Sequence, residues 1–102
     1  MPAWKRLRKR LKMRTIETTR QFDKDLKTIG LMAELIDVLH ALINNTPIPA
    51  QYRDHALQGN LSPYRECHLK PDLLLAYQLT DDAVKLIAID NHNNLFKTLK
   101  KK

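Results

Sequence analysis

The sequence predicts an α+β fold in the order β-α-α-β-β-β, with two helices packed on one face of a small antiparallel sheet. Three observations predict it. Apolar residues recur at three- and four-residue steps between residues 19 and 44, the period of helices buried along one side. Strand-like runs stand before this region and after residue 63, and the later ones are separated by the turn signals Lys70-Pro71-Asp72 and Thr80-Asp81-Asp82. The chain has 102 residues, enough for one domain with a modest core.

Residues 13–18, MRTIET, are rich in β-branched types and read as the first strand. Thr18 followed three residues later by Gln21 resembles a capping box, so a helix is expected from about Thr19. Phe22, Leu26 and Ile29 share one side of it, and Gly30 ends it. A second helix is expected from Leu31 to about Asn44, with Met32, Leu35, Ile36, Leu39, Leu42 and Ile43 as its core stripe. His40 has no histidine neighbour at ligand spacing and reads as a surface or structural residue. Asn44-Asn45, Pro47 and Pro49 stop the helix, and residues 46–63 read as a long loop, of a length that is often functional.

Three strands are expected next, at Tyr64–Leu69, Leu73–Leu79 and Val84–Ile89. The middle one is nearly continuous in apolar residues and so central. Two-residue alternation sets Tyr64, Glu66 and His68 on one face, which is expected to stay open, and Arg65, Cys67 and Leu69 on the helix-covered face. The closing LFKTLKKK reads as a short helix that trails off.

Net charge is +7, but its location matters more than its size. The first 14 positions hold seven of the 18 basic residues and no acid, and the last six hold four more. Residues 15–96 hold seven basic and eleven acidic residues, a net charge of −4. The polycation therefore belongs to the ends, where it adds salt-sensitive attraction to phosphate without making the body a reader of nucleic acid. Residues 1–12 read as a basic extension, with Met13 as a second candidate start, and 13–102 as the domain with its Lys-rich end. No apolar run reaches the roughly 18 residues a bilayer needs, and no apolar segment follows the N-terminal cations as in a signal peptide. A lone cysteine, Cys67, fits a reducing cytoplasm.

The chemistry-bearing residues gather between Asp54 and Asp72, in DHALQGNLSPYRECHLKPD. This stretch holds His55, His68, Glu66 and the cations Arg65 and Lys70, with Arg53 just before it, while His92 follows beside Asp90 and near Phe96. Cutting RNA needs a base for the 2′-OH, an acid for the departing 5′ oxygen and a cation for the phosphorane. Imidazoles suit the first two tasks because they titrate near neutral pH. Arg65 and Lys70 are available for phosphate, although alternation aims Arg65 away from His68. Tyr64 and Phe96 are available to stack on unpaired bases. Without HxxxH or CxxC spacing no metal site is expected, and no cofactor is expected. Cys67 points to the covered face, where a buried thiol is inert.

The chain resembles the YafQ-type toxins of the RelE/ParE superfamily over about residues 13–96. The likeness rests on YRDHALQGNLSPYRECHLKPDLLLAYQLTDD from Tyr52 to Asp82 and on DNHNNLF from Asp90 to Phe96. The QFDKDLK and INNTPIPAQY stretches are similar in pattern. The resemblance implies a RelE-like microbial RNase fold. It also implies the toxin of a type II toxin–antitoxin pair: a metal-independent, ribosome-dependent mRNA endoribonuclease that acts in the ribosomal A site. By position, the catalytic set it implies is His55, His68, Asp72 and His92, with Glu66 where the family has an aspartate and Phe96 as the closing aromatic. The implied partner is an antitoxin, in a heterotetramer or larger. The alternatives are a gyrase-poisoning relative that lacks this set, or a non-catalytic RNA- or ribosome-binding protein working through its basic ends.

Overall fold

A computed structural model describes residues 2, 3 and 13–100; the basic stretch assigned to an N-terminal extension lies largely outside them, as do Lys101 and Lys102. The elements are β1 (Thr15–Thr18), α1 (Arg20–Ile29), α2 (Ala33–Ile43), β2 (His55–Ala56), β3 (Arg65–Lys70), β4 (Leu73–Leu79), β5 (Ala83–Asp90) and α3 (His92–Lys100). Short 3-10 turns at Ala50–Tyr52 and Gly59–Leu61 flank β2. The five strands form one sheet in the order β1-β5-β4-β3-β2. It is mostly antiparallel, but β1 runs parallel to β5, so the sheet is mixed.

The helices form where the periodicity placed them, with local corrections. The cap of α1 is Thr19, not Thr18: its Oγ1 accepts from Phe22 N at 3.0 Å and donates to the Ile87 carbonyl at 2.6 Å. One hydroxyl thus starts the helix and ties it to β5. Gln21 does not reach back to a cap; its amide donates to Asp25 instead. Asp25 in turn accepts from Ile89 N at 2.9 Å, a second tie between α1 and β5. In α2, Leu35, Val38, Ala41 and Leu42 are buried, whereas Ile36, assigned to the core stripe, is exposed.

Both faces of the sheet are packed. On one side Phe22, Leu35, Val38 and Leu42 meet Cys67, Leu69, Leu75, Tyr77, Leu86 and Ile89. On the other, Leu95 and Leu99 of α3 cover Leu57, Leu74, Ala76, Ile87 and Ala88. The apolar run of β4 is explained by this, since its odd and even residues enter different cores. The second face is therefore not bare, as alternation alone suggested: α3 begins at His92 and closes most of it. A register shift between Ala76 and Tyr77 gives β5 one extra residue, which lets Ile87 and Ala88 both face α3. What stays open on that face is the end near β2 and β3.

Candidate active site

Four pieces of chain converge at that end. The first is the 3-10 turn that closes at Arg53, whose backbone is left-handed at φ 48°, ψ 48°. A side chain other than glycine rarely adopts this conformation, and here it is held by hydrogen bonds at both ends of the residue. Arg53 N donates to the Ala50 carbonyl at 3.1 Å, and the Arg53 carbonyl accepts from His55 Nδ1 at 2.8 Å. The second piece is β2, only two residues long, which aligns His55 with Glu66 and Ala56 with Arg65. The third is β3, where a register shift between His68 and Lys70 places an extra residue beside His68, a device common next to functional sites. The fourth is the start of α3. Asn91 caps it through Oδ1, which accepts from Asn94 N at 2.9 Å, and so sets His92 in the first turn.

His55 Nε2 lies 3.0 Å from Glu66 Oε1. With Nδ1 donating to a carbonyl and Nε2 facing a carboxylate, the contact needs a proton on one partner or the other. Glu66 is 3% exposed, and its second oxygen has no hydrogen-bond partner among the described residues. A buried carboxylate held this way is costly unless it shares a proton. The rings of His55 and His68 are 6.1 Å apart. The Arg53 guanidinium stands 3.4 Å from His68 Nδ1. Burial, then the positive charges of Arg53, His55 and His92, push His68 below the usual histidine range, with Glu66 opposing. His92 is exposed and packs edge-on against Phe96, ring centres 4.5 Å apart.

The structure thus brings His55, Glu66 and His68 together, while His92 stands at the start of α3 against Phe96. It does not bring Arg65 there. Arg65 leaves β3 on the helix-covered side, 2.7 Å from Asp54, whose other oxygen accepts from the buried Tyr77 hydroxyl. Alternation had pointed it that way. Lys70 lines the same cleft as His68 but is bonded to Glu34 of α2 at 2.9 Å. Asp72 is exposed in the β3–β4 turn and makes no hydrogen bond or ion pair among the described residues. Glu66 is buried beneath His55 rather than offered to substrate. In the sequence Arg53 is only a neighbouring cation; its place beside His68 depends on a left-handed backbone that nothing in its side chain announces.

One ligand atom from each of His55, Glu66 and His68 lies within 4.8 Å of the others. Two imidazoles and a carboxylate suit copper or zinc, so a metal-donor set is present that spacing along the chain did not reveal.

A profile of the family described as bacterial toxin of type II toxin–antitoxin system, YafQ, matches residues 14–97. The chain belongs to the YafQ toxin family. It is 41% identical over 88 residues to the mRNA interferase toxin YafQ of Escherichia coli K12, covering 81% of this chain and 96% of that one. Among solved structures, YafQ in the E. coli DinJ–YafQ toxin–antitoxin complex superposes with a TM-score of 0.74 at 39% identity, over 82% of this chain and 98% of that one. A metal-bound toxin from Helicobacter pylori gives a TM-score of 0.74 at 43% identity, over 82% of this chain and 100% of that one. Like this chain, the YafQ toxins are α+β proteins. No helix among the described residues is long and apolar enough to cross a membrane.

Proposed function

We propose that this chain is an mRNA interferase: a cytoplasmic endoribonuclease that enters the ribosomal A site and cuts the exposed codon without a metal. The observation that supports this most directly is the convergence of His55, Glu66 and His68 at the open end of the sheet. His68, biased toward its neutral form, takes the 2′-OH proton. The 2′ oxygen bonds to phosphorus, the bond from phosphorus to the 5′ oxygen breaks, and His92 gives that oxygen a proton. His55 and Glu66 hold a proton between them beside the reacting group and steady the charge that builds there. Phe96, against which His92 packs, orients that ring and offers a face for a base. Asp72 is assigned a supporting role from the turn, and Lys70, which must first leave Glu34, a contact to the RNA backbone away from the scissile phosphate.

The partner is an antitoxin, as in the DinJ–YafQ complex, in a heterotetramer or larger. Exposed Leu31 and Ile36 on the helical side supply apolar surface for it. Residues 13–102 act as the toxin domain, and the basic extension before them is dispensable for cleavage.

The donor set also supports a second reading of the same atoms: Cu²⁺ or Zn²⁺ bound by His55, Glu66 and His68 would occupy the nitrogens that move protons, so metal inhibits. Primer extension on a reporter mRNA after toxin induction tests the main reading. Cleavage is expected with ribosomes and not without them, and a stable His92→Ala variant is expected to cut nothing. Full cleavage by that variant would remove His92 from the scheme.

A further inference from the structure

We propose, on the nuclease reading above, that the Arg53 guanidinium holds the scissile phosphodiester, seated in the cleft between His68 and Lys70. Stabilising a phosphorane needs a cation within reach of the base. The cations of the central stretch differ in what they are free to do. Arg65 is bonded to Asp54 under the helices, and Lys70 is bonded to Glu34. Arg53 makes no ion pair among the described residues, and its Nη2 is 3.4 Å from His68 Nδ1. A guanidinium carries five N–H donors in a fixed fork, so the contact with one ring nitrogen leaves the others for a phosphate.

The cleft beside His68 holds two cations and one carboxylate, and the carboxylate is already paired. Arg53, His68, Gln51, Tyr52, Lys70 and Glu34 line a cleft of about 240 Å³; the Glu34 charge is offset by its ion pair with Lys70, which leaves the Arg53 guanidinium to face an anion. The left-handed backbone at Arg53 turns its carbonyl onto His55 while its side chain reaches His68, so one residue touches both imidazoles. Strained backbone of this kind persists where surrounding bonds fix it, and it clusters at functional sites. A fork-shaped cation matches two phosphate oxygens at once, which places the phosphorus beside the His68 ring.

Arg53→Asn removes the charge and keeps a residue that tolerates left-handed backbone; Arg53→Lys keeps the charge and loses the fork. On mRNA-programmed ribosomes, Arg53→Asn is expected to slow cleavage of bound message about a hundredfold, and Arg53→Lys to fall in between. Binding of an RNA strand with a 2′-deoxy scissile nucleotide gives the second readout. The slope of log Kd against log salt should drop by about 0.7 for Arg53→Asn, one phosphate contact on a single strand, and stay put for Arg53→Lys. A structural role alone would not move that slope. Wild-type cleavage by Arg53→Asn, or an unchanged slope, overturns the assignment while wild type still cuts and His92→Ala does not. Failure of the nuclease reading itself looks different: wild type then leaves the message intact.

Discussion

His55 and Glu66 face each other across β2 and β3, and the imidazole Nε2 is 3.0 Å from the carboxylate Oε1. The carboxylate is buried and its other oxygen has no partner among the described residues, so the imidazole contact is the one interaction that offsets its burial there. Replacing Glu66 by Gln keeps the shape and a hydrogen-bonding oxygen but removes the carboxylate charge that can take a proton. Cleavage is expected to fall about a hundredfold or more, while the thermal midpoint moves by no more than about 8 °C. A cleavage assay beside a melting curve checks this; an active Glu66→Gln variant would exclude the pair from the chemistry.

His68 sets the pH dependence. Its charged form is disfavoured by burial and by Arg53, His55 and His92, with Glu66 the one group favouring it, so the ring stays neutral below the ordinary histidine range. The acid limb of the rate profile is therefore expected to inflect below pH 6.5, not above it. The linked effect on folding has the same direction. As pH falls below 6.5 the unfolded chain takes up this proton before the folded one does, so stability drops on acidification and is regained above 6.5. The ring is partly exposed, which keeps that effect small. Single-turnover rates and urea midpoints between pH 5 and 8 measure both.

Beneath the site, Asp54 accepts from Arg65 and from the Tyr77 hydroxyl and anchors the chain one residue before His55. Tyr77 is fully buried, and burial and Asp54 together hold its hydroxyl protonated well above the usual tyrosine range. Tyr77→Phe should cost about 1–2 kcal/mol. Asp54→Ala should cost more, about 3 kcal/mol, because it strands a buried hydroxyl and a partly buried guanidinium. Chemical denaturation gives both values. Equal effects would mean that Arg65 finds another partner.

Chelation and metal addition separate the two readings of the donor set. EDTA is expected to leave cleavage intact. Cu²⁺ or Zn²⁺ is expected to suppress it in wild type, and metal binding measured by calorimetry should be lost in His68→Ala. Loss of activity in EDTA that zinc restores would reverse the role of metal.

Cys67 is completely buried under the helices, and burial pushes its thiol up to about 12. Maleimide should leave the native protein unlabelled and fully active, and label it only on unfolding. Fast labelling of the folded chain would mean that β3 opens.

The periodic side chains made much of this legible. Both N-terminal helices, β3, β4 and β5 lie within a few residues of where apolar spacing and turn residues set them, because burial on one side writes a repeat into the chain. Two features carried no such mark. Strand β2 is two exposed residues long, so it has no alternation to read. The parallel pairing of β1 with β5 joins segments almost seventy residues apart, and nothing local encodes it. Ile36 kept the helical repeat and still faces outward, because the period marks a stripe but not how far the neighbouring sheet extends to cover it.

The amino-acid sequence by itself determined the α+β class, the order of the main elements and the identity of the histidines worth watching. Only tertiary structure decided that α3 closes the second face, that Glu66 lies buried under His55, and that Arg53 rather than Arg65 stands beside His68. The reason is physical: side-chain period reports which residues are buried, whereas proton sharing and charge contact depend on distances of a few ångströms between strands that meet only after folding.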